Sequence, residues 1–230
     1  MESENIMGKI IAIGGGYNGG DFDWKLEEKI RRFIIKEKPK VIFIPYGSTD
    51  DEENYHQFSN FYELQGCEVE LLQPGMEYLL LEADLIYFGR GSTIQLIEKL
   101  KETKTIPFLK QAFEKDSILV GFSAGAHALF AFAGSYEMEI GYTIVEGLGF
   151  VDGCIISHYN YQDRAEAYHN LLKERDFSGI GLDDHTMMVV ENNVGTLYSS
   201  NVESDGYLIQ NLDSNLSIRP INGEKIAIPF

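Results

Sequence analysis

Apolar runs alternate with amphipathic segments through the first half of the chain. Runs that indicate buried strands fall at residues 9–13, 41–44, 67–72, 84–88 and 118–120. Helical spacing of apolar side chains separates these runs, as in Leu26, Ile30, Phe33 and Ile34. Because strands that alternate with helices form a parallel sheet with helices on both faces, this half predicts an α/β domain. Ligands of such sheets bind beyond the carboxyl ends of the strands.

The pattern changes in the second half of the chain. Residues 152–157 have the character of a strand, and a helix with apolar residues from Ala165 to Leu172 follows. Residues 187–190 and 196–199 then predict a hairpin, and turns are expected at Asp205-Gly206 and Asn222-Gly223. We find no internal repeat or linker, so we expect one domain over residues 1–230, with antiparallel hairpins at its C-terminal end.

The charge of the chain limits its partners. Nineteen basic and 36 acidic residues give a formal net charge of −17, which opposes binding to nucleic acid or an anionic membrane. No secretory signal is visible at the N-terminus, and no apolar run approaches the roughly 18 to 20 residues that span a bilayer. Cys67 and Cys154 are far apart and lack zinc spacing. We therefore expect a cytoplasmic protein without a metal or cofactor.

One short motif joins a strand to a helix in the middle of the chain. Gly121-Phe122-Ser123-Ala124-Gly125 fits the G-x-S-x-G pattern, between an apolar run and the helical segment 124–130. Glycines at these positions permit a sharp turn that exposes the serine, and a helix N-terminus beside it suits a developing oxyanion. The motif therefore predicts a nucleophile elbow with Ser123 as the nucleophile.

A serine nucleophile needs a base, and histidines are the candidates. His158 closes an apolar strand, which places it at the same sheet edge as Ser123. His185 follows two aspartates at another strand end and is the rival. His127 lies one helical turn after Ser123, where its side chain is expected to lean along the helix. We favour His158 as the base.

Two other folds or sites compete for the same motifs. Gly14-Gly15-Gly16-Tyr17-Asn18-Gly19 fits the dinucleotide pattern G-x-G-x-x-G, but the next strand ends without the acidic residue that would hold a ribose hydroxyl. An α/β-hydrolase carries its histidine late in the chain, whereas His158 follows Ser123 by only 35 residues. Neither alternative accounts for the whole pattern.

Three segments together resemble the aspartyl dipeptidase (peptidase E) and cyanophycinase family of serine peptidases. They are residues 88–93 (Phe-Gly-Arg-Gly-Ser-Thr), 121–126 and 157–159 (Ser-His-Tyr), with support from the N-terminal glycines and Gly-Leu-Asp-Asp at 181–184. The resemblance implies a fold like that of class I glutamine amidotransferases. It also implies Ser123 as nucleophile, His158 as base and an acid soon after the elbow helix. Glu137 is the best match for that acid, and Glu139 is the alternative.

The resemblance further implies how substrate is held. The backbone N–H groups of Gly91 and Ala124 correspond to the oxyanion donors, and Arg164 matches a family arginine near the histidine. Arg90 stands where the family has glycine, and it is a second candidate ligand for a substrate carboxylate. The function implied is hydrolysis of short peptides through an acyl-enzyme, with N-terminal aspartate as the family preference. A binding protein that has kept the fold and lost turnover is the alternative.

Overall fold

The computed structural model describes residues 8–17, 21–48, 51–213 and 215–229. Asn18 and Gly19 of the glycine motif lie outside the described residues. The helices are α1 (Trp24–Arg32), α2 (Asp51–Leu64), α3 (Thr93–Glu102), α4 (Ile106–Glu114), α5 (Ala124–Leu129) and α6 (Gln162–Arg175), with a 3₁₀ helix at Glu77–Glu82. The strands are β1 (Ile10–Ile13), β2 (Lys40–Ile44), β3 (Glu68–Leu71), β4 (Leu85–Phe88), β5 (Ile118–Phe122), β6 (Phe130–Glu137), β7 (Gly141–Glu146), β8 (Val151–Ser157), β9 (Gly179–Leu182), β10 (Thr186–Glu191), β11 (Val194–Ser199), β12 (Gly206–Leu212), β13 (Asn215–Pro220) and β14 (Lys225–Ala227).

The larger sheet contains eight strands in the order β14-β11-β10-β1-β5-β4-β2-β3. The five strands from β1 to β3 in that order are parallel, and β10, β11 and β14 continue the sheet as an antiparallel extension. This parallel core confirms the predicted α/β class. The expected hairpin is β10–β11, whose turn residues Asn192 and Asn193 both have positive φ, at 51° and 59°.

Alternation along β1 shows how the sheet is covered on both faces. Ile11 and Ile13 pack into the cluster that contains the apolar residues of α1 and α2. Ile10 and Ala12 point the other way, into a cluster formed with α3, α4, α5 and the second sheet. Successive side chains of a strand face opposite sides, so a strand with four buried residues in a row must lie between two layers.

A second sheet of six strands lies beyond α5, and the sequence pattern did not predict it as a unit. Its order is β13-β12-β9-β8-β6-β7, with β6, β8 and β9 parallel to one another. Phe130, which was expected in the elbow helix, is the first residue of β6. The Asn222-Gly223 turn has positive φ at both residues, but Gly206 begins β12 rather than forming a turn. None of the described helices has the length and apolar character needed to cross a membrane.

Glu27 lies on the buried face of α1 between two tyrosines. The hydroxyls of Tyr62 and Tyr87 each donate a hydrogen bond to one of its carboxylate oxygens, both at 2.7 Å. Burial raises the pKa of Glu27 from its ordinary 4.5 to about 7. The folded protein therefore keeps this proton over a pH range in which the unfolded chain has lost it.

We expect Glu27→Gln to flatten the pH dependence of the free energy of unfolding. In the wild type, the contribution of this group is fully present below pH 4.5 and is lost as the pH rises to 7. The loss amounts to about 3 kcal/mol, because one pKa unit corresponds to about 1.4 kcal/mol. Urea unfolding at several pH values measures it. The exposed neighbour Glu28, replaced by glutamine, is the control that should keep the wild-type slope, and parallel curves for wild type and Glu27→Gln would contradict this account.

Candidate active site

Ser123 stands in a strained turn between β5 and α5. Its φ of 52° and ψ of −107° lie outside the regions that L-residues ordinarily adopt. The glycines of the motif make the turn possible. A Cβ at Gly121 would lie 2.3 Å from the carbonyl carbon of Gly125, and a Cβ at Gly125 would lie 2.3 Å from the carbonyl oxygen of Phe88. The observed turn thus has the geometry of the nucleophile elbow that the motif predicts.

His158 follows β8 directly and faces the elbow. Its Nε2 lies 2.8 Å from Ser123 Oγ, and its φ is 55°. The main-chain N–H of His158 donates to the carbonyl oxygen of Gly14, at 3.0 Å, which fixes the ring beside the end of β1. The structure therefore brings together the serine and the histidine that sequence analysis paired.

Asp184 lies beside His158, where the resemblance implied Glu137. Its Oδ1 lies 2.5 Å from His158 Nδ1, and the two side chains are only 8% and 6% exposed. Asn160 holds Asp184 from the other side, because its Oδ1 accepts the Asp184 main-chain N–H at 2.9 Å. Ser123, His158 and Asp184 thus form one hydrogen-bonded series, the arrangement that serine hydrolases use to orient an imidazole base.

Glu137 lies at the end of β6 and contacts a different set of groups. Its carboxylate accepts hydrogen bonds from Ser92 Oγ at 2.6 Å and Ser135 Oγ at 2.8 Å. The alternation of β6 buries residues 133, 135 and 137 on one face, where the start of α3 packs. Glu139, the alternative, is exposed in the turn after β6. The prediction of Glu137 as the acid that contacts His158 is therefore wrong, because Asp184 makes that contact.

The first glycines of the chain lie against the His158–Asp184 pair. A Cβ at Gly15 would lie 1.8 Å from Asp184 Oδ1 and 2.5 Å from His158 Nδ1. A Cβ at Gly14 would lie 2.2 Å from the carbonyl oxygen of Asp183. The glycine motif is explained by this close packing, because any side chain at Gly15 would displace the hydrogen-bonded pair.

His185, the rival base, points away from Ser123. Its Nδ1 lies 2.7 Å from Asp23 Oδ2, and Asp23 is the residue that caps the N-terminus of α1. Asp183, the other neighbour of Asp184, accepts the main-chain N–H of Asp205 at 3.1 Å, and burial raises its pKa to about 6. Asp183, Asp184 and His185 lie in the turn between β9 and β10, where His185 has a φ of 66°, and the three side chains make separate contacts. The described residues contain no cluster of side chains suited to a metal ion.

The two expected oxyanion donors lie at the carboxyl ends of neighbouring strands. Gly91 follows β4 with a φ of 124°, and a Cβ there would lie 1.9 Å from the carbonyl oxygen of Gly47. Ala124 follows β5 as the first residue of α5, where a helix has no internal acceptor for its N–H. Since β4 and β5 pair in parallel, Gly91 and Ala124 lie at the same edge of the sheet.

The two candidate arginines differ in their surroundings. Arg90 donates from Nη2 to Asn54 Oδ1 on α2, at 2.8 Å. Arg164 lies in the first turn of α6, is half-buried, and forms no ion pair within the part of the chain that the structure describes. Its neighbour Asp163 instead accepts a hydrogen bond from Tyr142 at 3.0 Å.

The model of peptidase family S51 matches residues 10–197 of the chain. The chain belongs to peptidase family S51. Membership identifies it as a peptidase hydrolase of the serine type, in agreement with the elbow at Ser123.

Individual relatives of this S51 peptidase are similar over most of their length. The uncharacterized peptidase YgaJ of Bacillus subtilis (strain 168) is 30% identical over 187 residues, which cover 77% of this chain and 81% of the relative. Peptidase E of Nostoc sp. (strain PCC 7120 / SAG 25.82 / UTEX 2576) is 25% identical over 201 residues, or 80% of this chain and 83% of the relative. The crystal structure of a peptidase from an acI-B1 Actinobacterium superposes with a TM-score of 0.73, at 20% identity, over 97% of this chain and 98% of the other. This superposition shows that the two chains share a fold.

We predict that Asp184→Asn slows the reaction of Ser123 with a fluorophosphonate probe by about 10³- to 10⁴-fold. The amide leaves the geometry intact but favours the wrong tautomer of His158, as in other serine hydrolases. Labelling is followed by in-gel fluorescence over time. Glu139→Gln, at the exposed alternative, serves as the control and should label within about twofold of wild type. Equal rates for Asp184→Asn and wild type would rule out Asp184 as the orienting acid.

Proposed function

We propose that this S51 peptidase hydrolyses short peptides as an exopeptidase, through Ser123, His158 and Asp184. The observation that carries the proposal is the hydrogen-bonded series from a strained elbow serine to a buried carboxylate, with heavy-atom distances of 2.8 and 2.5 Å. A hydroxyl, an imidazole and a carboxylate in this order are the parts needed to activate a nucleophile at neutral pH.

The reaction begins when Ser123 Oγ attacks the carbonyl carbon of the scissile peptide bond. His158 Nε2 takes the hydroxyl proton as the bond forms, and Asp184 stabilises the imidazolium. The main-chain N–H groups of Gly91 and Ala124 donate to the oxyanion of the tetrahedral intermediate. When the intermediate collapses, His158 gives its proton to the leaving amine, and the acyl group stays on Ser123.

Water completes the cycle by the same route. His158 takes a proton from a water molecule, which attacks the acyl carbon, and a second tetrahedral intermediate forms. Collapse returns the proton to Ser123 Oγ and releases the N-terminal part of the substrate, which now ends in a carboxyl group.

We also propose that the protein works in the cytoplasm. Its two buried free cysteines support this location, because oxidising compartments favour disulfides.

The preferred substrate in this proposal carries a carboxylate near the scissile bond. Arg164 supports it, since a half-buried guanidinium without an ion pair among the described residues is suited to bind a carboxylate through two N–H groups. The charge of Arg164 also acts on groups inside the site. The pKa of His127 is lowered to about 3, first by burial and then by the charges of His158 and Arg164. N-terminal aspartate is the residue that the resemblance to aspartyl dipeptidases favours.

Ser123→Ala is expected to abolish peptide hydrolysis, with a loss on the order of 10⁶-fold in kcat, because the nucleophile of a serine peptidase is then missing. The fold should persist, since alanine is smaller than serine and the main chain is unchanged. The assay uses a library of dipeptides, with circular dichroism as the check on folding. Ser217→Ala, on the exposed strand β13, is the matched control. Wild-type protein that binds dipeptides without cleaving any of them would favour the binding-protein alternative.

Aspartate preference is tested by kcat/KM for Asp-Leu, Asn-Leu and Ala-Leu. A site built around a charge leaves Arg164 unpaired when the substrate is neutral, so Asp-Leu should be favoured by at least about 100-fold. Arg164→Ala should remove most of this preference, while Arg175→Ala, at the exposed far end of the same helix, should not. Differences below about tenfold among the three dipeptides in wild type would refute aspartate specificity, whatever the role of Ser123.

A further inference from the structure

A series of buried polar side chains crosses the interior from β6 to the elbow. Ser135 Oγ lies 2.8 Å from Glu137 Oε1 and 2.9 Å from Thr93 Oγ1. Thr93 Oγ1 also lies 3.1 Å from Nδ1 of His127. On the other side of that ring, Nε2 lies 2.9 Å from Ser157 Oγ. We call these five residues the buried polar chain. All five are less than 9% exposed, so their hydrogen bonds are made within the protein rather than to solvent.

The direction of the hydrogen bonds at His127 follows from a donor that cannot rotate. The main-chain N–H of Ser157 donates to His127 Nε2 at 3.0 Å, so Nε2 carries no proton. Burial lowers the pKa of His127 to about 3, so the ring is neutral and its single proton is on Nδ1. Nδ1–H then donates to Thr93 Oγ1, and the hydroxyl of Thr93 must donate onward to Ser135.

Glu137 ends the buried polar chain as an acceptor. Ser135 Oγ donates to it, as do Ser92 Oγ at 2.6 Å and the main-chain N–H of Ile94 at 3.4 Å. An ionised carboxylate can only accept, so three donors converge on it and none can be reversed without breaking a bond. The carboxylate therefore sets the direction in which the hydroxyls of Ser135 and Thr93 point.

The other end of the chain lies beside the elbow. Ser157 Oγ is 2.9 Å from His127 Nε2 and 3.4 Å from Ser123 Oγ. With Nε2 unprotonated, the Ser157 hydroxyl can share the Nε2 lone pair with its own main-chain N–H, and its proton then points toward the ring and away from Ser123. With the opposite tautomer, the ring would donate to Ser157 Oγ, and the Ser157 proton would turn toward Ser123 and occupy the lone pair that attacks substrate.

We propose that Glu137, Ser135 and Thr93 hold His127 in one tautomer from its Nδ1 side, as the Ser157 main-chain N–H does from its Nε2 side. The four side chains are then positioning residues that keep the hydroxyl proton of Ser157 off the Ser123 oxygen. The inference rests on the proposed role of Ser123 as nucleophile. It gives Glu137 a part in the reaction that differs from the expected one: the carboxylate acts through four side chains rather than by orienting His158.

A matched pair at Thr93 tests the middle of the chain. Thr93→Val keeps the shape of the side chain and removes the hydroxyl, so Nδ1–H of His127 loses its acceptor; Thr93→Ser keeps the hydroxyl. We expect the fluorophosphonate labelling rate of Ser123 to fall about 10- to 100-fold in Thr93→Val and to stay within about threefold in Thr93→Ser. Folded Thr93→Val that labels at the wild-type rate would overturn the inference.

A double variant tests whether Glu137 acts through the same route. If Glu137→Ala and Thr93→Val both act by misdirecting His127, their effects on the labelling rate should not add, and the double variant should label about as slowly as the slower single variant. Losses that multiply would show that Glu137 acts independently of the chain, and would overturn this part of the proposal.

The tautomer itself is measured by NMR of wild-type protein with ¹⁵N-labelled histidine, in which protonated and unprotonated ring nitrogens have well-separated shifts. His127→Gln identifies the signal. We expect protonated Nδ1 and unprotonated Nε2, and the reverse would overturn the inference even if the Thr93 variants do not fold. This readout does not involve reaction at Ser123. Wild-type protein that the probe does not label at all would therefore refute the proposed function while leaving the tautomer assignment separately tested.

Discussion

The close approach of the end of β1 to the turns after β8 and β9 is the constraint on which the site depends. Gly14 and Gly15 accept main-chain hydrogen bonds from His158 and His185, at 3.0 and 2.9 Å, and so join the larger sheet to the second one. The main-chain N–H of Ser123 binds the carbonyl oxygen of Ile13 next to them, at 3.1 Å. One short stretch of backbone, residues 13–15, therefore positions Ser123, His158 and Asp184 relative to one another. This stretch can carry no side chain at Gly15.

This arrangement explains why two strained residues meet at the site. Ser123 and His158 both have positive φ, an unfavourable conformation for residues other than glycine. Each is held there by main-chain bonds on both sides of the turn rather than by its own preference. The strain is compensated by a well-packed frame, because β1 and β5 are buried along their whole length. A rigid frame also keeps the 2.8 Å contact between Ser123 and His158 in place before substrate binds.

The interior behind the elbow contains polar groups where an apolar core would be simpler. Thr93, His127, Ser135 and Glu137 lie between α3, α5 and β6, surrounded by apolar residues of the largest core cluster. A buried polar group costs free energy unless it is hydrogen-bonded, and here each has a partner. Such a network has the direction of its hydrogen bonds set by the Ser157 main-chain N–H at one end and the Glu137 carboxylate at the other. It is therefore better suited than an apolar core to define where the Ser157 hydroxyl points.

The sequence by itself determined the parts of this protein that depend on neighbouring residues. The parallel strands, the elbow at Ser123 and the placement of His158 at a strand end follow from apolar runs and from glycines at fixed offsets. The strand β6 did not follow, because Ala131 and Ala133 favour continuing the helix α5, and pairing of β6 with β7 and β8 ends that helix at Leu129. The acid was decided by tertiary structure alone. Glu137 and Asp184 are both carboxylates after strands, and only the packing of Gly15 against β8 and β9 brings Asp184, and not Glu137, to Nδ1 of His158.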